Sequence, residues 1–224
     1  MLIRPNGHAQ FLLQNSEGAA ILTDPFDEGC GYPYEKCIAD VVTVSHGHHD
    51  HADLGKCEAA DGGKPIVIEG AGRRSPLPDV VIEGIEVFHD DCQGQKRGKN
   101  VMMLIETEGL RLLHTGDLGH TLSDETLLRC GRVDILFLPV GGFFTLSPAE
   151  AAQTCAALKP RIVIPMHYKT AYTASWPIEG VEPFLDLMGA TRAERTPMSI
   201  LRVTKGDLSE QKRICVLEID GSRR

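Results

Sequence analysis

Residues 46 to 51 read His-Gly-His-His-Asp-His, which places His46, His48, Asp50 and His51 within six positions. Neutral imidazole and ionised carboxylate are ligands that zinc and other first-row divalent metals accept, and a loop dense in them rarely serves packing. Successive residues point in different directions, so the four donors cannot all face one ion. Two ions are therefore plausible, with further His or Asp donors expected downstream. His89, Asp117 and His167 meet that expectation, because each stands where a strand signal gives way to a loop. His49 lies off the ligand pattern and reads as an exposed bystander. Cys92, three residues after His89, also reads as a bystander. His8, His114 and His120 read as surface or hydrogen-bonded histidines; of these, His120, close to Asp117 in sequence, is the preferred candidate to protonate a leaving group. Lys96, Arg97 and Lys99 form a basic turn that either grips a phosphate or carboxylate or is simply solvated. Tyr168 and Lys169 directly follow His167, with no role assigned.

These donors need strands to aim them. The run DVVTVS at 40–45 is β-branched and alternating, and delivers its end to the histidine cluster. Further strand signals lie at 9–14, 19–24, 65–69, 84–89, 101–106 and 110–114, with a hairpin connection at 15–18. From Ser123 the period changes. The segment 123–131 carries an N-cap Ser, acidic first-turn residues and a terminal Gly, which predict a short helix. In 147–160 Ser147 is the N-cap, Pro148 the first helical residue and Glu150 completes a capping box. A third helix is expected over 182–189. Strands are expected at 133–140 and 161–166, and closing strands at 199–203 and 213–219. The stretch 61–79, with its Gly, Pro and Arg73–Arg74 pair, reads as a loop excursion. Two strand-rich halves with interspersed helices predict an α/β fold of two sheets packed face to face and covered outside by helices.

A length of 224 residues suits a single domain over 1–224. Charged residues make up 24% and hydrophobic ones 42%, which is ordinary for a globular chain. The net charge of -8 offers no general footprint for nucleic acid or anionic lipid, so an anionic substrate must be held locally. The N-terminal sequence lacks the apolar core of a signal peptide, and no stretch is apolar enough to span a membrane. Seven cysteines without a CxxC pair suggest reduced thiols in a cytoplasm.

The order and context of the motifs resemble the metallo-β-lactamase-fold hydrolases, with His46-x-His48-x-Asp50-His51 in the place of their HxHxDH motif. DPF, HTGDLGH, DILFLPVGGFFTLSPAEA and IPMHYKT are most similar to the short, single-domain branch related to the L-ascorbate-6-phosphate lactonase-like proteins. The resemblance covers most of the chain. It implies an αββα four-layer sandwich of two mixed sheets flanked by helices. It also implies two divalent metal ions, zinc first with manganese or iron as alternatives. His46, His48 and His89 would hold one ion, Asp50, His51 and His167 the other, and Asp117 would bridge them. Asp24 matches an early buried Asp that steadies the ligand loop.

The implied activity is hydrolysis of an ester, lactone or phosphodiester of a small molecule by a hydroxide shared between the ions, with Asp50 orienting it. No nucleic-acid or membrane partner is expected, and a homo-oligomer is open. Three other readings stay open: an iron-dependent dioxygenase of the same fold, a nuclease, and a metal protein without turnover.

Overall fold

The computed structural model describes residues 1–219. In chain order the strands are β1 (Leu2–Gly7), β2 (Gln10–Gln14), β3 (Ala20–Thr23), β4 (Cys37–Ile38), β5 (Val41–Val44), β6 (Cys57–Glu58), β7 (Ile66–Glu69), β8 (Gly72–Leu77), β9 (Val80–Phe88), β10 (Lys99–Thr107), β11 (Leu110–His114), β12 (Ile135–Pro139), β13 (Ile162–Met166), β14 (Leu201–Arg202) and β15 (Arg213–Ile214). The helices are α1 (Asp124–Cys130), α2 (Pro148–Leu158) and α3 (Glu182–Leu187). Two mixed sheets result, ordered β14-β1-β2-β3-β5-β7 and β15-β13-β12-β11-β10-β9-β8, plus a small β4-β6 ribbon. This is the α/β arrangement that the sequence predicts.

Local sequence explains the layering. Strands β5, β12 and β13 are buried at every position and run parallel to their neighbours, as expected of continuous apolar runs covered on both faces. Strand β1 alternates between half-buried and buried residues. Ile3, Phe11, Leu13 and Val41 of the first sheet meet Ile82, Met103, Phe137 and Ile164 of the second in the inner core. Each such side chain contributes roughly 1.5–3 kcal/mol of burial. Leu104, Leu136 and Val163 face outward from the second sheet onto Cys155, Leu158 and Phe184. Helix α2 starts from the anticipated capping box of Ser147 and Glu150. Over the first sheet, Leu22, Val42 and Val44 are covered by Cys37, Ala39 and Cys57 of the ribbon region.

Two readings of the sequence need correction. Residues 61–79 are not a free excursion: β8 pairs antiparallel with β9 as an edge strand. Arg73 reaches Glu83 and Glu106 across the sheet, and such charges blunt an edge against further pairing. At the N-terminus, β1 was hidden by Arg4, Pro5 and Asn6, yet it pairs with both β2 and β14. All seven cysteines are free. Among the described residues no helix is long and apolar enough to cross a membrane.

Strands β3 and β5 run parallel, as do β11, β12 and β13, while β9 reaches β11 through two antiparallel pairings and so shares its direction. The residues that follow β5, β9, β11 and β13 are His46, His89, Asp117 and His167, and they converge at one rim.

Candidate metal centre

Three groups of donors gather there. Ligand atoms of His46, His48 and His89 lie within 4.8 Å of one another, as do those of His46, His51 and Asp117. The third group is His8, Asp50, His51 and His167. Asp117 stands between the others: its Oδ2 is 3.2 Å from both His89 Nε2 and His167 Nε2 and 3.9 Å from His46 Nε2, and its Oδ1 is 3.2 Å from His51 Nε2. All seven residues singled out in the sequence are thus brought together.

His8 joins them unannounced. It occupies the β1–β2 turn with a φ of 54°, and its Nε2 lies 3.2 Å from Asp50 Oδ2. Its carbonyl accepts the His167 amide at 3.4 Å, and the two rings are centred 4.1 Å apart. A lone His in a hairpin turn carries no ligand spacing. In the structure the preceding Gly7, with a φ of 117°, lies so close to the Tyr32 ring that a Cβ would clash, and this brings the His8 turn into the site.

The backing of the site is hydrogen-bonded. Asp24, fully buried, accepts from the Ser45 amide and hydroxyl at 2.8 and 2.5 Å and from His51 Nδ1 at 2.8 Å. It fixes which His51 nitrogen faces the centre. Ser45 Oγ is 2.9 Å from His46 Nδ1 and does the same there. The Asn100 amide donates to Thr115 O at 2.8 Å and accepts the Asp117 amide at 3.1 Å, which sets the Asp117 loop. His114 donates from Nε2 to Ala9 O at 2.9 Å and accepts the Gly116 amide on Nδ1. It is a structural residue behind Asp24.

Glycines allow the close approach of the loops. A Cβ on Gly119 would sit 2.3 Å from the His89 carbonyl carbon, and one on Gly141 would sit 2.3 Å from His167 O.

Electrostatics favour neutral imidazoles at His46 and His8 and ionised carboxylates at Asp117 and Asp50, with His51 the exception. Burial pushes His46 down to about 3 and, with His167 adding to it, His8 down to about 4. Burial opposes charge on Asp117, but His167 and His51 hold its carboxyl well below the usual range. Burial likewise opposes charge on His51, yet Asp117 and Asp24 on its two sides raise it well above an ordinary imidazole. Positive charge is therefore favoured at this point.

The remaining candidates stand apart. His120 accepts the Phe88 amide on Nε2 and meets Thr121 O with Nδ1 at 2.8 Å, so main chain engages both ring nitrogens. His49, at the surface, is 3.0 Å from Asp27. Cys92 turns to Asp90. Tyr168 is buried in the helix-side core and Lys169 is exposed. Lys96 and Lys99 pair with Asp91 and Glu86, whereas Arg97 lines the cleft.

The donor set fits divalent ions. His51 Nε2 and Asp117 Oδ1, which face each other at 3.2 Å, are buried without a hydrogen bond of good geometry, a costly state for polar atoms that a bound metal would relieve. The groups differ in access: His48 is exposed, whereas His8, Asp50, His51 and His167 are all buried.

The β-lactamase superfamily domain profile matches residues 3–167. The chain is similar to a UPF0173 metal-dependent hydrolase of Thermococcus kodakarensis, 31% identical over 209 residues, with 82% of this chain and 90% of the relative covered. A second such hydrolase, from Pyrococcus furiosus, is 30% identical with 82% and 90% covered. Among solved structures it resembles a metallo-β-lactamase superfamily member from Thermotoga maritima, with a TM-score of 0.75, 34% identity, and 98% and 99% of the two chains covered.

Proposed function

The chain belongs to the β-lactamase superfamily and, within it, to the UPF0173 metal-dependent hydrolases, and from that footing we propose that it hydrolyses an ester, lactone or phosphodiester of a small molecule with two divalent ions, zinc first. His46, His48 and His89 would hold one ion, and Asp50, His51 and His167 the other, with Asp117 between them. When bound, the ions supply Lewis acidity and acidify a water. The chain's own residues do the rest. Asp24 and Ser45 aim the His51 and His46 rings, and His8 holds one oxygen of Asp50, leaving the other to orient the attacking water. His167 and Asp117 open onto a cleft walled by Phe144 and Trp176, which limits bulk water at the reacting bond.

One observation carries the reading: the Asp117 carboxylate stands among the three donor groups, 3.2 Å from the Nε2 atoms of His51, His89 and His167 and 3.9 Å from that of His46. Its test is metal quantification on protein purified without chelator. A lactone, phosphate-ester and phosphodiester panel then follows, with and without added Zn²⁺ or Mn²⁺. About two equivalents of metal and hydrolysis abolished by His167→Ala are expected. Well below one equivalent, with turnover surviving in His46→Ala, would sink the proposal.

A further inference from the structure

The cleft above the donors measures about 580 Å³, and among the described residues one cationic side chain, Arg97, lines it. The loop that carries it is firmly built. Asp90, 2% exposed, accepts the amides of Cys92, Gly94, Lys96 and Arg97 at 2.8–2.9 Å, so a single carboxylate sets the course of the chain from 92 to 97. The guanidinium is braced as well. One Nη donates to Phe143 O at 3.0 Å, and the group lies 5.6 Å from the Phe144 ring.

The neighbouring cations are spent and Arg97 is not. Lys96 is 3.3 Å from Asp91 and Lys99 is 3.0 Å from Glu86, whereas among the described residues no carboxylate lies within 4.0 Å of Arg97. Its remaining N–H groups form a fork suited to a carboxylate or phosphate oxygen pair. Phe144 and Trp176, 6.3 Å apart and edge to face, supply an apolar corner beside it. In a chain of net charge -8, a prepositioned arginine with no carboxylate partner among the described residues gives this cleft a local site of positive potential beside the donor groups.

We propose that Arg97 is the specificity-determining residue of this cleft, which takes a substrate bearing an oxyanion substituent next to a planar or apolar group. The oxyanion sits on Arg97 and the planar part on Phe144 and Trp176, so the scissile bond is presented to the metal donors from a fixed anchor. This rests on the cleft being the hydrolytic site, but binding can be read without turnover. Trp176 is the chain's single tryptophan and lines the cleft, so its fluorescence reports occupancy.

The test titrates the metal-loaded protein with benzoate, phenylphosphonate and the neutral benzamide. Saturable Trp176 signals are expected with the anions. Arg97→Met should weaken anion binding about tenfold to hundredfold, the size of a lost charge-assisted hydrogen-bond pair, and benzamide binding far less. Arg97→Lys should recover part of the loss, and Lys99→Met should match the wild type. A loss confined to benzoate or to phenylphosphonate assigns the carboxylate or the phosphate class. The same loss for benzamide, no effect of Arg97→Met, or no saturable anion signal in the wild type overturns the proposal. Arg97-dependent binding in a protein that hydrolyses nothing in the panel would keep Arg97 as the anion anchor of the cleft and reject the ester, lactone or phosphodiester reading. Metal content of each variant serves as the check on folding.

Discussion

His8 Nε2 lies 3.2 Å from Asp50 Oδ2, and both side chains are buried. Burial leaves His8 neutral, so its N–H donates and holds one oxygen of Asp50 in place. A residue in the turn of the chain's first hairpin therefore orients a candidate ligand 42 residues away.

Removing this contact should act on one metal pocket more than the other. His8→Ala is expected to weaken the ion held by Asp50, His51 and His167 by about tenfold to hundredfold, the usual effect of losing a partner behind a ligand. Metal analysis after dialysis would show roughly one equivalent retained, with His8→Gln intermediate. Two equivalents retained in His8→Ala would show that Asp50 needs no such support.

Chelation should occur in two phases. The group with the exposed His48 is reached first and the fully buried group second. Stopped-flow with a chromogenic chelator should resolve a fast and a slow equivalent. Because the metal binds only the native state, each ion at thousandfold excess over its Kd stabilises by about 4 kcal/mol. Removing one ion should lower the Tm by about 8–16 °C in a chain of this size. An unchanged Tm after complete chelation would mean that the donors are held without the metal.

Asp90 makes a pH prediction. Burial alone would raise its carboxyl, but the amides of Arg97, Gly94 and Lys96 pull it below the ordinary carboxylate value. A depressed carboxylate contributes fully above its unfolded pKa, and that contribution is lost as the pH falls through the folded value. Hydrogen exchange should thus show the amides of Cys92, Gly94, Lys96 and Arg97 protected at neutral pH. Asp90→Ala should expose them by about tenfold or more while β10 stays protected. Equal exchange in wild type and variant would remove the basis for a fixed Arg97.

Gly119→Ala should displace His89, because the added methyl meets main chain on His89 and Asp90 rather than a side chain that can yield. A cost of about 1–3 kcal/mol is expected, with loss of metal from the His46, His48 and His89 group. Gly180→Ala, with open space around the added Cβ, is the control. Urea denaturation and metal content read both effects, and a stable, metal-replete Gly119→Ala would contradict the packing argument.

Much of the site was legible because its chemistry is concentrated. His46 to His51 announce themselves by ligand density, and His89, Asp117 and His167 by following strand signals. Helix α2 was legible from its capping box, since those preferences are local. His8 and Arg97 were not separable from their neighbours, because their roles come from long-range packing. His8 reaches Asp50 only once β1 has paired with β2, and Arg97 is set apart from Lys96 and Lys99 by contacts with Phe143 and Phe144 that exist only in the fold. Strand β8 was masked by Gly72, Pro76 and two arginines, and its pairing depends on β9 rather than on its own propensity.

Among the described residues every metal-donor candidate lies between residues 8 and 167, whereas β14, β15, α3 and the Trp176 wall come from the chain that follows. The described segment after His167 adds an outer strand to each sheet and one face of the cleft, and none of the grouped donors. The cleft is therefore composite: Arg97 and Phe144 come from the same stretch as the donors, whereas Ser175, Trp176 and Pro177 come from the stretch behind it. One wall of the cleft can change in sequence without any donor candidate being replaced, while a change at the Arg97 side falls within the loops that carry the donors.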